Sequence, residues 1–140
     1  MKSFSASIRI RASAETVWAL LTDAAGYPEW NSTVARIAGQ IAPGSKIVVH
    51  ARAAPGRGFP VRVTAFQPPQ LMEWTGGMPL GLFTGRRRFT VSPAGAGELE
   101  FAMREEFGGP LAPLISPAIP DQQPAFTAFA ADLKRQAEAR

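Results

Sequence analysis

Six short segments with strand character follow one another between residues 34 and 107, and this run limits the possible folds more than any other feature. Each break between them is rich in glycine and proline, as in "APGS", "QPPQ" and "SPAGAG", and such sequences form turns. Links this short join antiparallel neighbours, because parallel strands need a much longer crossover. The predicted strands are 34–40, 46–53, 59–66, 71–75, 82–92 and 98–107.

The chain before this run predicts one further strand and two short helices. In "SFSASIRIRAS", Phe4, Ile8 and Ile10 alternate with polar residues, which is the pattern of a strand with one buried face. Ser13 is a suitable N-cap for the helix that follows. A second short helical turn is expected to begin at Pro28 and to contain Trp30, because proline favours the first turn of a helix.

The C-terminal segment predicts a helix that covers the sheet. Prolines recur between residues 110 and 124 and exclude one uninterrupted helix there. After Pro124, Phe126, Phe129 and Leu133 recur at three- and four-residue spacings, which places them on one helix face. A seven-stranded antiparallel sheet has an apolar face that must be covered. The sequence therefore predicts an α+β fold in which this helix is the cover.

Composition excludes several classes of protein. The chain has no cysteine, so thiol chemistry and zinc–thiolate sites are excluded. His50 is the only histidine and is predicted to face solvent, since Ile47 and Val49 have the opposite strand parity. We therefore expect neither a catalytic triad nor a metal site, and no cofactor. No apolar run reaches membrane-spanning length and no secretion signal is evident. A single cytoplasmic domain over residues 1–140, without stable membrane insertion, is expected.

The basic cluster Arg86-Arg87-Arg88 and the net charge of +4 raise the hypothesis of a nucleic-acid partner. The cluster lies in an alternating segment, so Arg86 and Arg88 point to one face of a strand and Arg87 to the other. A charge cluster divided in this way does not form one binding surface. We therefore expect no nucleic-acid partner.

A family resemblance appears at "ETVWALLTDAAGYPEWN", residues 15–31. A helix with Val-Trp and Leu-x-Asp, followed by Tyr-Pro-x-Trp-Asn, resembles the opening signature of the START-like or Bet v 1-like (SRPBCC) superfamily. Its bacterial members include polyketide cyclase/dehydrase-like proteins. The later pieces "LMEW", "GRRRF" and "EEFGG" are also similar to this group.

The resemblance implies a helix-grip fold, in which a curved sheet wraps the C-terminal helix and leaves an internal cavity. Members bind or transport lipids and other hydrophobic small molecules, or act as cyclases and aromatases. Two departures stand out. The tail is interrupted by prolines, which predicts a short or kinked covering helix, and Arg87 holds a strand position at which relatives often carry a histidine.

Strand parity identifies a candidate polar site. Arg87 shares its parity with Phe83 and Phe89, and Glu105 shares its parity with Phe101 and other apolar residues, so both should point inward. If Val91 pairs with Phe101, antiparallel register places Arg87 opposite Glu105. Such a pair is either a polar anchor for a ligand or a structural salt bridge. Glu105 is also the candidate acid or base if the protein is an enzyme of the cyclase or dehydratase type.

Two sets of residues complete the predicted site, and three functions follow. The predicted ligand-binding residues are Arg87, Glu105, Trp74, Phe83, Phe89, Phe101, Met103, Phe107, Leu111, Phe126 and Phe129. The predicted portal consists of Trp30, Phe59, Met78, Leu80 and Leu82. Trp30 is expected first to pack under the edge of the sheet, and the portal is its second role. Binding of a small hydrophobic molecule is the leading hypothesis. The alternatives are a cyclase or dehydratase without cofactor, and an interaction module or homodimer that uses the apolar loops.

Overall fold

The structure is a computed structural model that describes residues 3–140. Its strands are β1 (Ser3–Ile10), β2 (Val34–Ala38), β3 (Lys46–Ala51), β4 (Phe59–Gln67), β5 (Leu71–Gly77), β6 (Thr84–Gly95) and β7 (Glu98–Gly108). Its helices are α1 (Ala14–Thr22), α2 (Tyr27–Trp30), α3 (Ala112–Ile115) and α4 (Gln123–Glu138). Short 3-10 turns at 24–26, 79–81 and 116–118 complete the elements.

The seven strands form one curved antiparallel sheet in the order β1-β7-β6-β5-β4-β3-β2. The run from β2 to β7 is a meander, and β1 closes it by pairing with β7. Helix α4 packs against the concave face, mainly along β1 and β7. The predicted α+β helix-grip fold is confirmed.

The register of β6 and β7 agrees with the prediction made from parity. Val91 pairs with Phe101, and Arg87 pairs with Glu105. Because side chains alternate between the faces of a sheet, this register places both charged residues on the concave face. The register therefore creates the candidate site.

An aromatic cluster fills the space between the sheet and α4. Phe129 of α4 stacks on Phe101 of β7, with ring centroids 6.2 Å apart and planes at 9°. Phe129 also lies 5.8 Å from Phe89 and 5.7 Å from Trp30. Each buried aromatic side chain contributes a large apolar area to the core. Phe129 is therefore the residue through which the sheet, α2 and α4 meet.

The corner that contains Tyr27 and Trp30 belongs to this core. Tyr27 is fully buried, and its hydroxyl donates a hydrogen bond of 2.7 Å to the carbonyl oxygen of Leu21. Burial raises the pKa of Tyr27 far above its ordinary value of 10.0. The rings of Tyr27 and Trp30 lie 4.9 Å apart. The corner is thus a packed junction between α1, α2 and β2.

The proline-rich tail forms more helix than expected. Its first part contains α3 and a 3-10 turn, and α4 then runs for 16 residues without interruption. The expectation of a short or kinked covering helix was wrong because Pro124 lies in the first turn of α4, where a missing N–H costs nothing. A side-chain oxygen of Asp121 accepts a 3.0 Å hydrogen bond from the backbone N–H of Gln123, which helps to start the helix.

Asp132 fastens α4 to the turn that follows α2. Its carboxylate accepts hydrogen bonds from the backbone N–H of Ser32 at 2.8 Å and from its hydroxyl at 2.7 Å. Arg135 donates a third bond at 2.6 Å. Burial of Asp132 opposes ionisation, but these hydrogen bonds outweigh it and lower the pKa below its ordinary value of 3.8.

We expect Asp132→Asn to lower the free energy of unfolding at neutral pH by about 1–3 kcal/mol, because it removes a buried, fully bonded carboxylate. Since the folded pKa is depressed, this contribution is complete above pH 3.8 and is lost as the pH falls through the lower folded pKa. Denaturant unfolding from neutral to acidic pH measures the difference between variant and wild type. Glu106→Gln is the control, because the Glu106 side chain is 65% exposed. A difference that stays constant down to acidic pH would contradict this role of the Asp132 charge.

Candidate functional site

A row of three inward residues crosses the middle of the sheet. Arg87 of β6 has Trp74 of β5 as its partner on one side and Glu105 of β7 on the other. The Arg87 Nε donates a hydrogen bond of 2.7 Å to the Glu105 carboxylate. The side chains of Arg87 and Glu105 are 23% and 13% exposed. The ion pair is therefore largely buried but still in contact with solvent.

The covering helix closes over Arg87. The guanidinium carbon lies 4.7 Å from the ring centroid of Phe126 on α4, which is a cation–π contact. Within residues 3–140, only Nε of the guanidinium donates a hydrogen bond, so its two terminal nitrogens keep their donors for another partner. Arg87 is thus held in place by Glu105 and Phe126, while its terminal N–H groups have no acceptor among the described residues of the protein.

Gly85 leaves the approach to Glu105 open. On the concave face of β6, Gly85 is the next residue from Arg87 towards the β5–β6 loop. It pairs with Phe107 of β7. A Cβ atom there would lie 3.4 Å from the ring of Phe107 and 3.8 Å from a carboxylate oxygen of Glu105. A larger side chain at this position would occupy the space beside the ion pair.

The structure brings the predicted ligand-binding residues together between the concave face and the segments that cover it, including α4. Phe83 and Leu111 are half-buried near the end of the sheet that carries the β3–β4 and β5–β6 connections, which we call the loop end. Phe83 stacks on Phe107 at 5.7 Å, and the backbone N–H of Leu111 donates to the carbonyl of Leu82. The buried members of the set are Trp74, Phe89, Phe101, Met103, Phe107, Phe126 and Phe129. The ion pair therefore separates a packed aromatic interior from a partly open loop end.

Two surface clefts lie elsewhere. One, of about 290 Å³, lies at the opposite end of the sheet and is lined by Ser13, Pro69 and Pro93, among others. The other, of about 380 Å³, lies between 22–25 and 39–42. Neither is lined by Arg87 or Glu105. The internal cavity therefore remains a prediction.

Three buried donors near the row have no hydrogen-bond partner within residues 3–140. They are Nε1 of Trp30, Nδ2 of Asn31 and Nε1 of Trp74. The ring of Tyr27 lies 4.9 Å from that of Trp30 and 6.4 Å from that of Trp74. A buried donor without an acceptor costs about 1–3 kcal/mol. Trp74 was predicted as a member of the ligand-binding set, but only the structure shows that its N–H is unpaired.

Four of the five predicted portal residues are exposed at the loop end, namely Phe59, Met78, Leu80 and Leu82. Trp30 differs, because it is buried against Tyr27 and Phe129. It packs in the core, as its first expected role has it, and the portal role predicted for Trp30 was wrong because its side chain is buried.

Other candidate chemistry lies outside this site. His50 is half-buried on the convex face, where a terminal nitrogen of Arg36 lies 3.3 Å from its Nε2. Arg86 and Arg88 also lie on that face and pair with Glu73 at 3.5 and 3.0 Å, so the basic cluster is divided as predicted. Within residues 3–140 no group of acidic or histidine side chains is arranged to hold a metal ion. Every helix described falls short of what crossing a bilayer requires.

A double-mutant cycle tests whether burial strengthens the Arg87–Glu105 pair. We expect Arg87→Met and Glu105→Gln to show a coupling energy of about 1–3 kcal/mol in denaturant unfolding, since the two residues are in contact and largely buried. The control cycle uses Arg104 and Glu106, which pair at 3.4 Å with side chains 54% and 65% exposed. Its coupling should not exceed about 1 kcal/mol. Equal couplings in the two cycles would show that the inner pair gains nothing from its position.

Comparisons with known proteins agree with this architecture. The Zhui aromatase/cyclase from a Streptomyces species superposes with a TM-score of 0.74 at 13% identity, covering 99% of this chain and 94% of that one. A START superfamily protein from Mycobacterium smegmatis gives 0.69 at 17% identity, covering 98% and 97%. Norcoclaurine synthase from Thalictrum flavum gives 0.69 at 16%, covering 96% and 92%. These similarities show a shared fold.

A search of curated proteins gives no significant match. The family model described as polyketide cyclase/dehydrase and lipid transport, in contrast, matches residues 1–138. This match spans almost the whole chain and includes every strand and helix described above. The chain therefore belongs to the polyketide cyclase/dehydrase and lipid transport family.

Proposed function

We propose that the protein binds a small hydrophobic molecule at the loop end of its concave face, with Arg87 and Glu105 as the polar contacts. The observation that carries this proposal is a partly exposed ion pair on an otherwise apolar face. Arg87 is positioned by Glu105 and Phe126 but has unused donors. An apolar surface with a few convergent polar groups is typical of small-molecule sites.

The unpaired donors indicate the chemistry of the ligand. Trp74 is the cross-strand neighbour of Arg87, and its indole N–H is buried without an acceptor. A ligand oxygen placed between them would satisfy both groups, because each can only donate. We therefore expect an apolar molecule that carries an acceptor oxygen, such as a carbonyl, carboxylate or phenolate.

The family description includes both enzymes and lipid carriers, so catalysis by a cyclase or dehydratase is the second candidate. Glu105 would then be the acid or base. The other residues give it little help, because the Tyr27 hydroxyl is engaged by Leu21 and His50 lies on the convex face. General acid–base catalysis normally uses a positioned group for each proton transferred. The single candidate group favours binding over catalysis.

Two fluorescent probes with the same aromatic skeleton test the role of Arg87. N-phenyl-1-naphthylamine is neutral, whereas 8-anilinonaphthalene-1-sulfonate carries an anionic acceptor group. We expect wild type to bind both and Arg87→Met to weaken the sulfonate probe about tenfold, since a hydrogen bond to a charged group contributes about 1.5–3 kcal/mol. The loss in binding should exceed the loss in stability. Arg104→Met is the control on the convex face, and unchanged titrations of both probes with Arg87→Met would refute the anchor.

Trp74→Phe tests the second donor separately. The substitution removes the indole N–H and keeps an aromatic ring, so the sulfonate probe should bind about fivefold more weakly, which corresponds to one neutral hydrogen bond. Binding of the neutral probe should change little. Phe89→Leu is the control, because Phe89 contacts Trp74 at 4.7 Å but carries no donor. Equal weakening of both probes by Trp74→Phe would mean that Trp74 contributes packing alone.

A further inference from the structure

The exposed apolar side chains of this protein are concentrated at one end. Within residues 3–140, five large apolar side chains are exposed, and all of them lie at the loop end of the molecule. They are Phe59 (40% exposed), Met78 (42%), Leu80 (96%), Leu82 (38%) and Leu114 (77%). Scattered single apolar residues need no explanation, but a group of this kind marks an interaction surface. We call these five residues the apolar rim.

The apolar rim is built on an ordered framework. The backbone N–H of Met78 donates to the carbonyl of Phe83 at 2.8 Å and closes the β5–β6 loop. The N–H of Leu111 donates to the carbonyl of Leu82 at 2.9 Å and joins this loop to the segment before α3. Phe59 begins β4, the neighbour of β5. Backbone hydrogen bonds and strand pairing therefore fix the backbone of the segments that carry the apolar rim.

Leu80 shows that this exposure has a cost. It has φ 61° and ψ 20°, the left-handed region that residues other than glycine seldom adopt. Its side chain is nevertheless almost entirely in solvent, so burial within the fold does not compensate for the strain. Strained positions of this kind cluster at functional sites. The conformation of Leu80 is therefore explained best by a contact outside the chain.

The sheet edge next to the apolar rim is strongly basic. Residues 31–72 contain no aspartate or glutamate but five cations, Arg36, Lys46, Arg52, Arg57 and Arg62, all exposed. Arg52 and Arg57 lie on the connection between β3 and β4, at the same end as the apolar rim. The other three lie on the strands, where Lys46 begins β3 at the far end and pairs with Arg62. The guanidinium carbon of Arg57 lies 5.4 Å from the ring centroid of Phe59, so the basic edge and the apolar rim meet there.

We propose that this end of the protein docks on membranes that contain anionic lipids, with the apolar rim in the headgroup region and the basic edge against the lipid phosphates. The membrane then buries the apolar rim and attracts the basic edge, since apolar burial and attraction to anionic lipids act together at a membrane interface. A second copy of the chain is a poorer partner. A two-fold contact through this surface would offer Arg52 and Arg57 no carboxylate from its loops, since residues 31–72, 76–84 and 108–120 contain no aspartate or glutamate. This docking does not depend on the ligand site.

Sedimentation with lipid vesicles tests the proposal. We expect wild type to pellet with vesicles of phosphatidylcholine and phosphatidylglycerol, to bind weakly to phosphatidylcholine alone, and to be released by salt. Leu80→Asn, combined with Leu114→Gln, should lower the affinity at least about tenfold, because each change removes a leucine from the interface. Asparagine tolerates the left-handed conformation, so Leu80→Asn alone provides a variant that keeps the fold.

Charge variants give a matched comparison. Arg52→Gln with Arg57→Gln should weaken binding to the anionic vesicles about fivefold for each arginine. Arg11→Gln with Arg140→Gln changes the net charge equally at the opposite end of the sheet and should have a much smaller effect. Circular dichroism verifies folding.

Two results would overturn the proposal. One is wild-type protein that stays in the supernatant with every vesicle. The other is a wild-type dimer in light scattering that becomes a monomer with Leu80→Asn, because the apolar rim would then be a protein interface.

Discussion

The packing of α4 onto the concave face of the sheet is the interaction on which the rest of the structure depends. Phe129 brings together the sheet, through Phe89 and Phe101, and the corner of α2, through Trp30. This packing also places Phe126 over Arg87 and Asp132 beside Ser32. Without α4, Arg87 would be an ordinary arginine on an open sheet. The covering helix changes it into a half-enclosed cation with one carboxylate partner.

The division of the basic cluster between the two faces of β6 explains how three consecutive arginines have different surroundings. On the convex face, Arg86 and Arg88 share the carboxylate of Glu73, and water screens their charges. On the concave face, Arg87 meets Glu105 among aromatic rings, where the local dielectric constant is lower and electrostatic interactions are stronger. Strand geometry alone produces this difference, since neighbouring side chains point in opposite directions.

Much of the fold was predictable because its signals are local. Period-two alternation and short turns indicate an antiparallel meander. Strand parity, with the assumption that Val91 pairs with Phe101, placed Arg87 opposite Glu105. Ser13 caps α1 as expected, with its hydroxyl accepting from the N–H of Thr16. The helix after Pro124 was predicted, whereas α3 and the 3-10 turn before it were missed, because tertiary packing can stabilise short turns that local propensity does not indicate. The unpaired donors of Trp30 and Trp74 were also beyond prediction, because hydrogen-bond satisfaction depends on every neighbouring atom.

The aromatic interior is closely packed and leaves little room for a ligand, whereas the unpaired donors require an acceptor. A ligand bound at the loop end can meet both conditions. A ligand that entered the aromatic core would have to separate Phe129 from Phe101, at the cost of contacts that hold α4. A ligand at the loop end would displace only half-buried groups, chiefly Phe83 and Leu111, and would reach Arg87 first. It would meet the donors of Arg87 and of its cross-strand neighbour Trp74 without separating Phe129 from Phe101. The physical cost of entry therefore favours binding beside the ion pair, at the end of the molecule where the apolar rim lies.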